Sequence, residues 1–90
     1  MEFQFTPQAI KDLKQLDKAT CKKFFRKLMF WTSTEDPMKF SKSIQGHRGL
    51  FRFRVDDCRL IVFLNHGSLK IEILKVGHRS NVHKTLNNIF

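Results

Sequence analysis

Residues 49–84 read GLFRFRVDDCRLIVFLNHGSLKIEILKVGHRSNVHK, and the alternation within them decides the fold. In LFRFRV, Phe51, Phe53 and Val55 fall on one face and Arg52 and Arg54 on the other, the period of a half-buried strand. CRLIVFL is a near-continuous apolar run interrupted by Arg59. Asp56-Asp57 lies between the two runs with no spare residue, which predicts a two-residue hairpin loop. That loop sets the register: Val55 opposite Cys58, Arg54 opposite Arg59, Phe53 opposite Leu60 and Arg52 opposite Ile61. A third strand, SLKIEILKV, follows a turn at His66-Gly67. Antiparallel pairing puts Leu69, Ile71 and Ile73 with Phe51, Phe53, Val55, Leu60 and Val62 on the apolar face. Lys70, Glu72 and Leu74 then join Ile61 and Phe63 on the arginine face. Gly77-His78-Arg79 ends the strand and delivers Arg79, and soon after it His83, to the end of the sheet.

The register has a chemical consequence. Arg54 and Arg59 become direct cross-strand neighbours with Cβ atoms about 5 Å apart, and Arg52 lies on the same face two residues along. Like charges placed opposite each other cost stability, and an anion between them removes that cost. A single such pair is ordinarily explained by long side chains splaying into solvent. Three arginines on one face favour anion binding.

Working outward, Glu2 to Phe5 alternates with Phe3 and Phe5 on one side, as a short first strand does. Thr6-Pro7 predicts a helix start, with threonine as N-cap and proline at the first helical position. Ala9, Ile10, Leu13 and Leu16 recur at helical spacing, while Lys11, Lys14 and Lys18 face outward. A second helix is predicted from about Thr20 to Trp31, with Phe24, Leu28 and Trp31 as its apolar stripe, widened by Phe25 and Met29. The short link between the two predicts an antiparallel helical hairpin. Lys22, Lys23, Arg26 and Lys27 read as a solvated face that can steer a polyanion. Residues 32–39 (TSTEDPMK) read as a loop, and Phe40 and Ile44 anchor a short turn before Gly46. Ser80 is placed to cap a last short helix carrying Val82, Leu86, Ile89 and Phe90.

The 90 residues are thus expected to form one domain, 1–90, of the α+β class. An N-terminal strand and an antiparallel helical hairpin pack on an antiparallel β-sheet, followed by a short C-terminal helix or tail. Ten Phe and one Trp give a chain of this size rings enough for one modest core. The net charge of +9 and pI near 10.1 point to a polyanionic partner, either nucleic acid or an acidic protein. No apolar run approaches membrane-spanning length. Cys21 and Cys58 fall in different elements and, without a secretory segment, are expected as reduced thiols in a cytoplasmic protein.

No phosphate-cradling glycine loop is present. His47, His66, His78 and His83 lack paired-ligand spacing, and Asp56-Asp57 has no third carboxylate close in sequence, so neither a metal site nor a cofactor is expected. The strand aromatics fall mostly on the core face, unlike a base-stacking sheet. What remains is Arg52, Arg54, Arg59 and Arg79 with His83 nearby. Arginines hold a phosphate bidentately and stabilise the charge that builds when its phosphorus is attacked. They do not exchange protons at neutral pH, because guanidinium titrates above about pH 12. The chain has no tyrosine, so a metal-free RNA-cleaving site would take its proton carrier from a histidine, and His83 is best placed in sequence. His78 and His47 come after it, and His66 reads as a turn residue.

AIKDLKQLDK, the DP…IQG…FRFRVDDCRLIVF series and ILKVGHRSNVHK, in that order along nearly the whole chain, resemble the RelE/ParE superfamily of toxins. The resemblance implies an α+β toxin neutralised by a cognate antitoxin that wraps around it in a heteromeric complex. In the RelE-like branch the toxin enters the ribosomal A site and cleaves mRNA, the ribose 2′-hydroxyl attacking the adjacent phosphate without a metal. The family's basic strand pair falls on Arg52, Arg54 and Arg59, its arginine after the last strand on Arg79, and its C-terminal aromatic acid–base residue, usually tyrosine, on His83. Arg48, Lys75, His78 and Lys84 flank these as expected RNA contacts. Arginines replace the lysines many relatives carry on the first strand, and histidine replaces tyrosine. The GHRSNVHK ending is closer to the RelE-like branch, giving a ribosome-dependent endoribonuclease. The alternative is a ParE-like inhibitor of DNA gyrase without nuclease activity.

Overall fold

The computed structural model describes residues 2–65 and 67–78. In order come β1 (Glu2–Phe5), α1 (Pro7–Lys14), α2 (Lys18–Ser33), a 3₁₀ turn (Pro37–Phe40), β2 (Lys42–Ser43), β3 (Leu50–Val55), β4 (Cys58–Asn65) and β5 (Lys70–His78). The strands make one sheet in the order β1-β5-β4-β3-β2. The β3–β4 hairpin closes with the register the two-residue loop dictates, from Val55↔Cys58 to Leu50↔Phe63. Asp56 takes φ +53° at the first loop position, a place where glycine is the ordinary choice and where aspartate is among the better tolerated alternatives.

The sheet is mixed, not wholly antiparallel as the sequence led us to expect: β1 runs parallel to β5, Glu2↔Lys70 through Phe5↔Ile73. The two helices carry the chain across the sheet to its far edge at β2. From there the meander β2-β3-β4-β5 returns to lie beside β1. Alternation identifies a strand but does not name its partner. The two-residue β2, paired Lys42↔Arg52 and Ser43↔Phe51, stands where a plain turn was expected.

The helices start where side-chain oxygens meet backbone N–H groups. Thr6 Oγ1 accepts from Ala9 N at 3.2 Å and donates to the carbonyl of Ile73 at 2.9 Å, so one hydroxyl caps α1 and ties it to β5. The second helix begins earlier than the predicted Thr20, because the Asp17 carboxylate caps it by accepting from Thr20 N at 3.1 Å. Ala9, Phe24 and Trp31 enter a core with Phe53, Val55, Leu60, Val62, Leu64, Ile71, Ile73 and Val76. Trp31 packs on Phe53 with ring centroids 4.5 Å apart.

Four expected core positions lie outside it. Ile10 is exposed, because the inward place on α1 is taken by Asp12. Phe25 and Met29 are exposed at 44% and 73%. They line a groove between α1 and α2 with Leu13, Leu16 and Cys21. Leu69 is exposed as well; it adopts φ +55° in the β4–β5 turn, which breaks the alternation that would have turned it inward.

A register shift between Ile61 and Val62 makes Leu74 an extra residue in β5, since Val62 faces Ile73 and Ile61 faces Lys75. Without this bulge, alternation from Ile71 and Ile73 would send Lys75 into the core; with it, Val76 takes that place. Beyond the end of β1, Asp12 serves the open edge of β5. Its Oδ2 accepts from Val76 N at 3.0 Å, and its Oδ1 accepts from Lys75 Nζ and Gln8 Nε2, both at 2.9 Å. The Lys75 and Asp12 side chains are 17% and 7% exposed, whereas the Lys23–Asp56 pair is 63% and 65% exposed.

This contrast predicts two different outcomes in denaturant unfolding. Asp12→Ala strands the ammonium of a largely buried lysine and a strand N–H, and should cost about 3 kcal/mol. Lys23→Ala should stay within about 0.5 kcal/mol of the parent. Equal losses would place the anchor of α1 elsewhere.

Candidate anion site on the open face of the sheet

On the face of the sheet opposite the helices, the arginine end is built from two rows of cross-strand partners. One runs Lys42↔Arg52↔Ile61↔Lys75 and the other Arg54↔Arg59↔Gly77. Partners in a row share a face, so β2, β3 and β4 bring Lys42, Arg52, Arg54 and Arg59 together. With Phe40 they line a concavity of about 110 Å³. That is the volume of three or four waters at about 30 Å³ each, the scale of a single phosphate group.

Arg54 is oriented by its own turn: its Nε donates to the carbonyl of Asp56 at 3.0 Å. The convergence of Arg52, Arg54 and Arg59 expected from the hairpin register is therefore present. Arg48 is exposed in the turn before β3 and does not line the concavity. Lys75 has its ammonium bound to Asp12, so it adds to the local field more than to a direct contact. The backbone of His78 pairs with Cys58, one residue from Arg59, so β5 ends at the arginine end of the sheet. Arg79, His83 and Lys84, with the expected helix from Ser80 to Phe90 and the turn residue His66, lie outside the described residues.

Sequence reasoning missed Lys42 and Phe40. A two-residue strand is too short to show a period, and Phe40 read as an anchor rather than a wall. Only the pairing Lys42↔Arg52 brings that lysine to the site.

The concavity can hold and neutralise an oxyanion. Among its described lining residues there is no histidine and no carboxylate, so what they offer an anion is positive charge and hydrogen-bond donors. Cys58 offers no nucleophile either. It is buried, and burial first, then Asp57, Asp17, Asp56 and Cys21, push its thiol above the ordinary value, away from the reactive thiolate.

Because four cations crowd this face, phosphate should stabilise the folded chain. We expect a rise in Tm of several degrees at phosphate about tenfold above its Kd. Arg52→Ala and Arg59→Ala should each lose most of that rise. A rise unchanged in both variants would move the anion to another surface.

Among the described residues no helix is long and apolar enough to cross a membrane. The fold recurs in solved structures. The RelB–RelE antitoxin–toxin complex from Methanococcus jannaschii superposes with a TM-score of 0.74 at 20% identity, covering 90% of this chain and 95% of that one. The archaeal RelE–RelB complex from Pyrococcus horikoshii gives 0.66 at 28% identity, covering 87% and 93%. The isolated E. coli RelE toxin gives 0.68 at 17% identity, covering 99% and 98%. No curated protein sequence matches. A family model described as ParE toxin of type II toxin–antitoxin system, parDE, matches residues 3–83. With that span matched, the chain belongs to the ParE toxin family of type II toxin–antitoxin systems, within the RelE/ParE superfamily.

Proposed function

We propose that this toxin is a ribosome-dependent endoribonuclease that cleaves mRNA in the A site and so inhibits translation. The observation that carries the reading is the convergence of Arg52, Arg54 and Arg59 on one phosphate-sized concavity. In this reading the 2′-hydroxyl of a ribose attacks the adjacent phosphorus and the bond to the next 5′-oxygen breaks. The arginines, joined by Arg79, hold the non-bridging oxygens and stabilise the charge that builds on them. Because a guanidinium does not exchange protons at neutral pH, His83 takes the proton of the attacking hydroxyl or returns one to the leaving oxygen. No resident metal or cofactor is needed when guanidinium groups supply the charge. Arg48, His78 and Lys84 extend the RNA track on either side, with Lys75 contributing through its field. The site of action is the cytoplasm, where translating ribosomes are.

The partner proposed for control is a cognate antitoxin, acidic or amphipathic, covering part of the cationic face. Solved RelE complexes with RelB support a heteromeric assembly of this kind. A second reading, a ParE-like inhibitor of DNA gyrase without nuclease activity, has its own support in the ParE model that matches residues 3–83.

In a ribosome-dependent cleavage assay, His83→Ala should reduce turnover by about 10²-fold or more, the usual contribution of a general acid–base group. Near-normal turnover would remove His83 from the mechanism. Arg59→Ala should cripple cleavage, because it removes one of the three guanidinium groups that line the concavity. RNA from expressing cells separates the two readings: cut translated messages support the nuclease, and an SOS response with intact messages supports the gyrase inhibitor.

A further inference from the structure

The sheet face explains how a phosphate is held but not what reads the nucleotide attached to it. Phe40 stands on the wall of the same concavity, beside Lys42, Arg52, Arg54 and Arg59. The residue is 40% exposed. Phe30, exposed at 48%, backs it in an edge-on contact with centroids 5.3 Å apart and planes at 64°. Neither ring belongs to the core cluster. Lys39 Nζ lies over the Phe40 ring at 5.2 Å, and Lys27 Nζ over the Phe30 ring at 5.8 Å.

The ring is also held in place. Pro37 is buried and Met38 packs against the core. The carbonyl of Met38 accepts from Ser41 N at 3.0 Å and from Ser41 Oγ at 2.7 Å. Beyond Ser41 the chain enters β2, where Lys42 faces Arg52. An aromatic on so short and anchored a turn is pre-positioned rather than swept about by a loose loop.

We infer that Phe40 is a stacking platform for one nucleobase of a single-stranded RNA whose phosphate rests on Arg52, Arg54 and Arg59. The inference rests on the phosphate-binding reading of that cluster and adds the group that engages the base. Every base has a π-face, so such a platform tolerates sequence and contributes affinity by stacking. An ammonium held over an exposed phenyl is the weaker interaction of the two, so a base displaces Lys39 from the ring and leaves it a phosphate ligand. Every other described residue lining the concavity is a lysine or arginine, which favours a polyanionic occupant over an apolar protein surface.

The test measures Kd by fluorescence anisotropy at low ionic strength, using the full chain and a labelled, non-cleavable 2′-O-methyl RNA trinucleotide. A second probe is the same trinucleotide with an abasic central residue. The wild type should bind the base-bearing probe about tenfold more tightly than the abasic one. Phe40→Leu, which keeps an apolar side chain without a π-face, should close most of that gap and leave abasic binding unchanged. Phe40→Trp should keep the gap, and unchanged Tm values would confirm that both variants fold. A gap that survives Phe40→Leu overturns the assignment. So does equal binding of both probes by the wild type; if Arg52→Ala still weakens both, the phosphate reading stands alone. Should the wild type bind neither probe, the phosphate reading fails and the platform fails with it. A Phe40→Leu variant that keeps the gap yet loses its co-expressed antitoxin assigns the ring to a protein contact instead.

Discussion

Two aspartates between β3 and β4 govern both faces of this sheet. With only Asp56 and Asp57 in the loop, Val55 faces Cys58, and every later pair follows. The side-chain period along a strand is two, so the same register that sends Phe53, Val55, Leu60 and Val62 into the core sends Arg52, Arg54 and Arg59 to the other side. A slip of one residue would bury the guanidinium groups and expose the core together. Hydrophobic burial therefore enforces a like-charge neighbourhood that electrostatics alone would disfavour. Gly49 guards the other end of the hairpin: it takes φ +82°, and a Cβ there would come within 2.9 Å of the Phe63 ring, so a larger residue meets both backbone strain and a clash.

The edge of β5 shows how the remaining charge is managed. Parallel pairing with β1 stops at Phe5↔Ile73, and Thr6 and Asp12 take over the carbonyl and N–H groups beyond it. The bulge at Leu74 lets Val76 stay in the core and brings Lys75 to the carboxylate that closes this edge. One aspartate thus docks α1, completes the strand edge and withdraws one cation from direct contact with the open face. Four cations remain around the concavity, with no acid among the described residues that line it.

Much of this was legible because it rests on strict periods. Alternation in LFRFRV and the absence of spare residues at Asp56-Asp57 led directly to the Arg54↔Arg59 pairing. Thr6-Pro7 announced α1 through capping chemistry that depends on adjacent residues alone. What escaped was set by distant partners. Nothing in Glu2–Phe5 states that its neighbour is β5 or that the two run parallel. Ile10, Phe25 and Met29 satisfy helical spacing but sit on flanks the sheet does not cover. Asp12 reads as a surface acid until a strand edge and an ammonium arrive some sixty residues later. Lys42 and Phe40 reach the site through a two-residue strand that no period can reveal.

The grouping of cations on one face of the sheet has a consequence for control. A sheet is stiff, and the four cations on it are positioned by ladders that also hold the core, so occupancy by phosphate requires no rearrangement of the described fold. The same feature sets Arg54 directly opposite Arg59 on that face, a like-charge neighbourhood that a bound anion would ease. Any acidic segment laid across that face relieves the same repulsion a phosphate relieves. The two ligands therefore compete for one gain in free energy, and by linkage each weakens the other by the same factor. Such competition needs no distortion of the core: an acidic chain that spans Lys42 to Arg59 would occupy the place a phosphate would otherwise take.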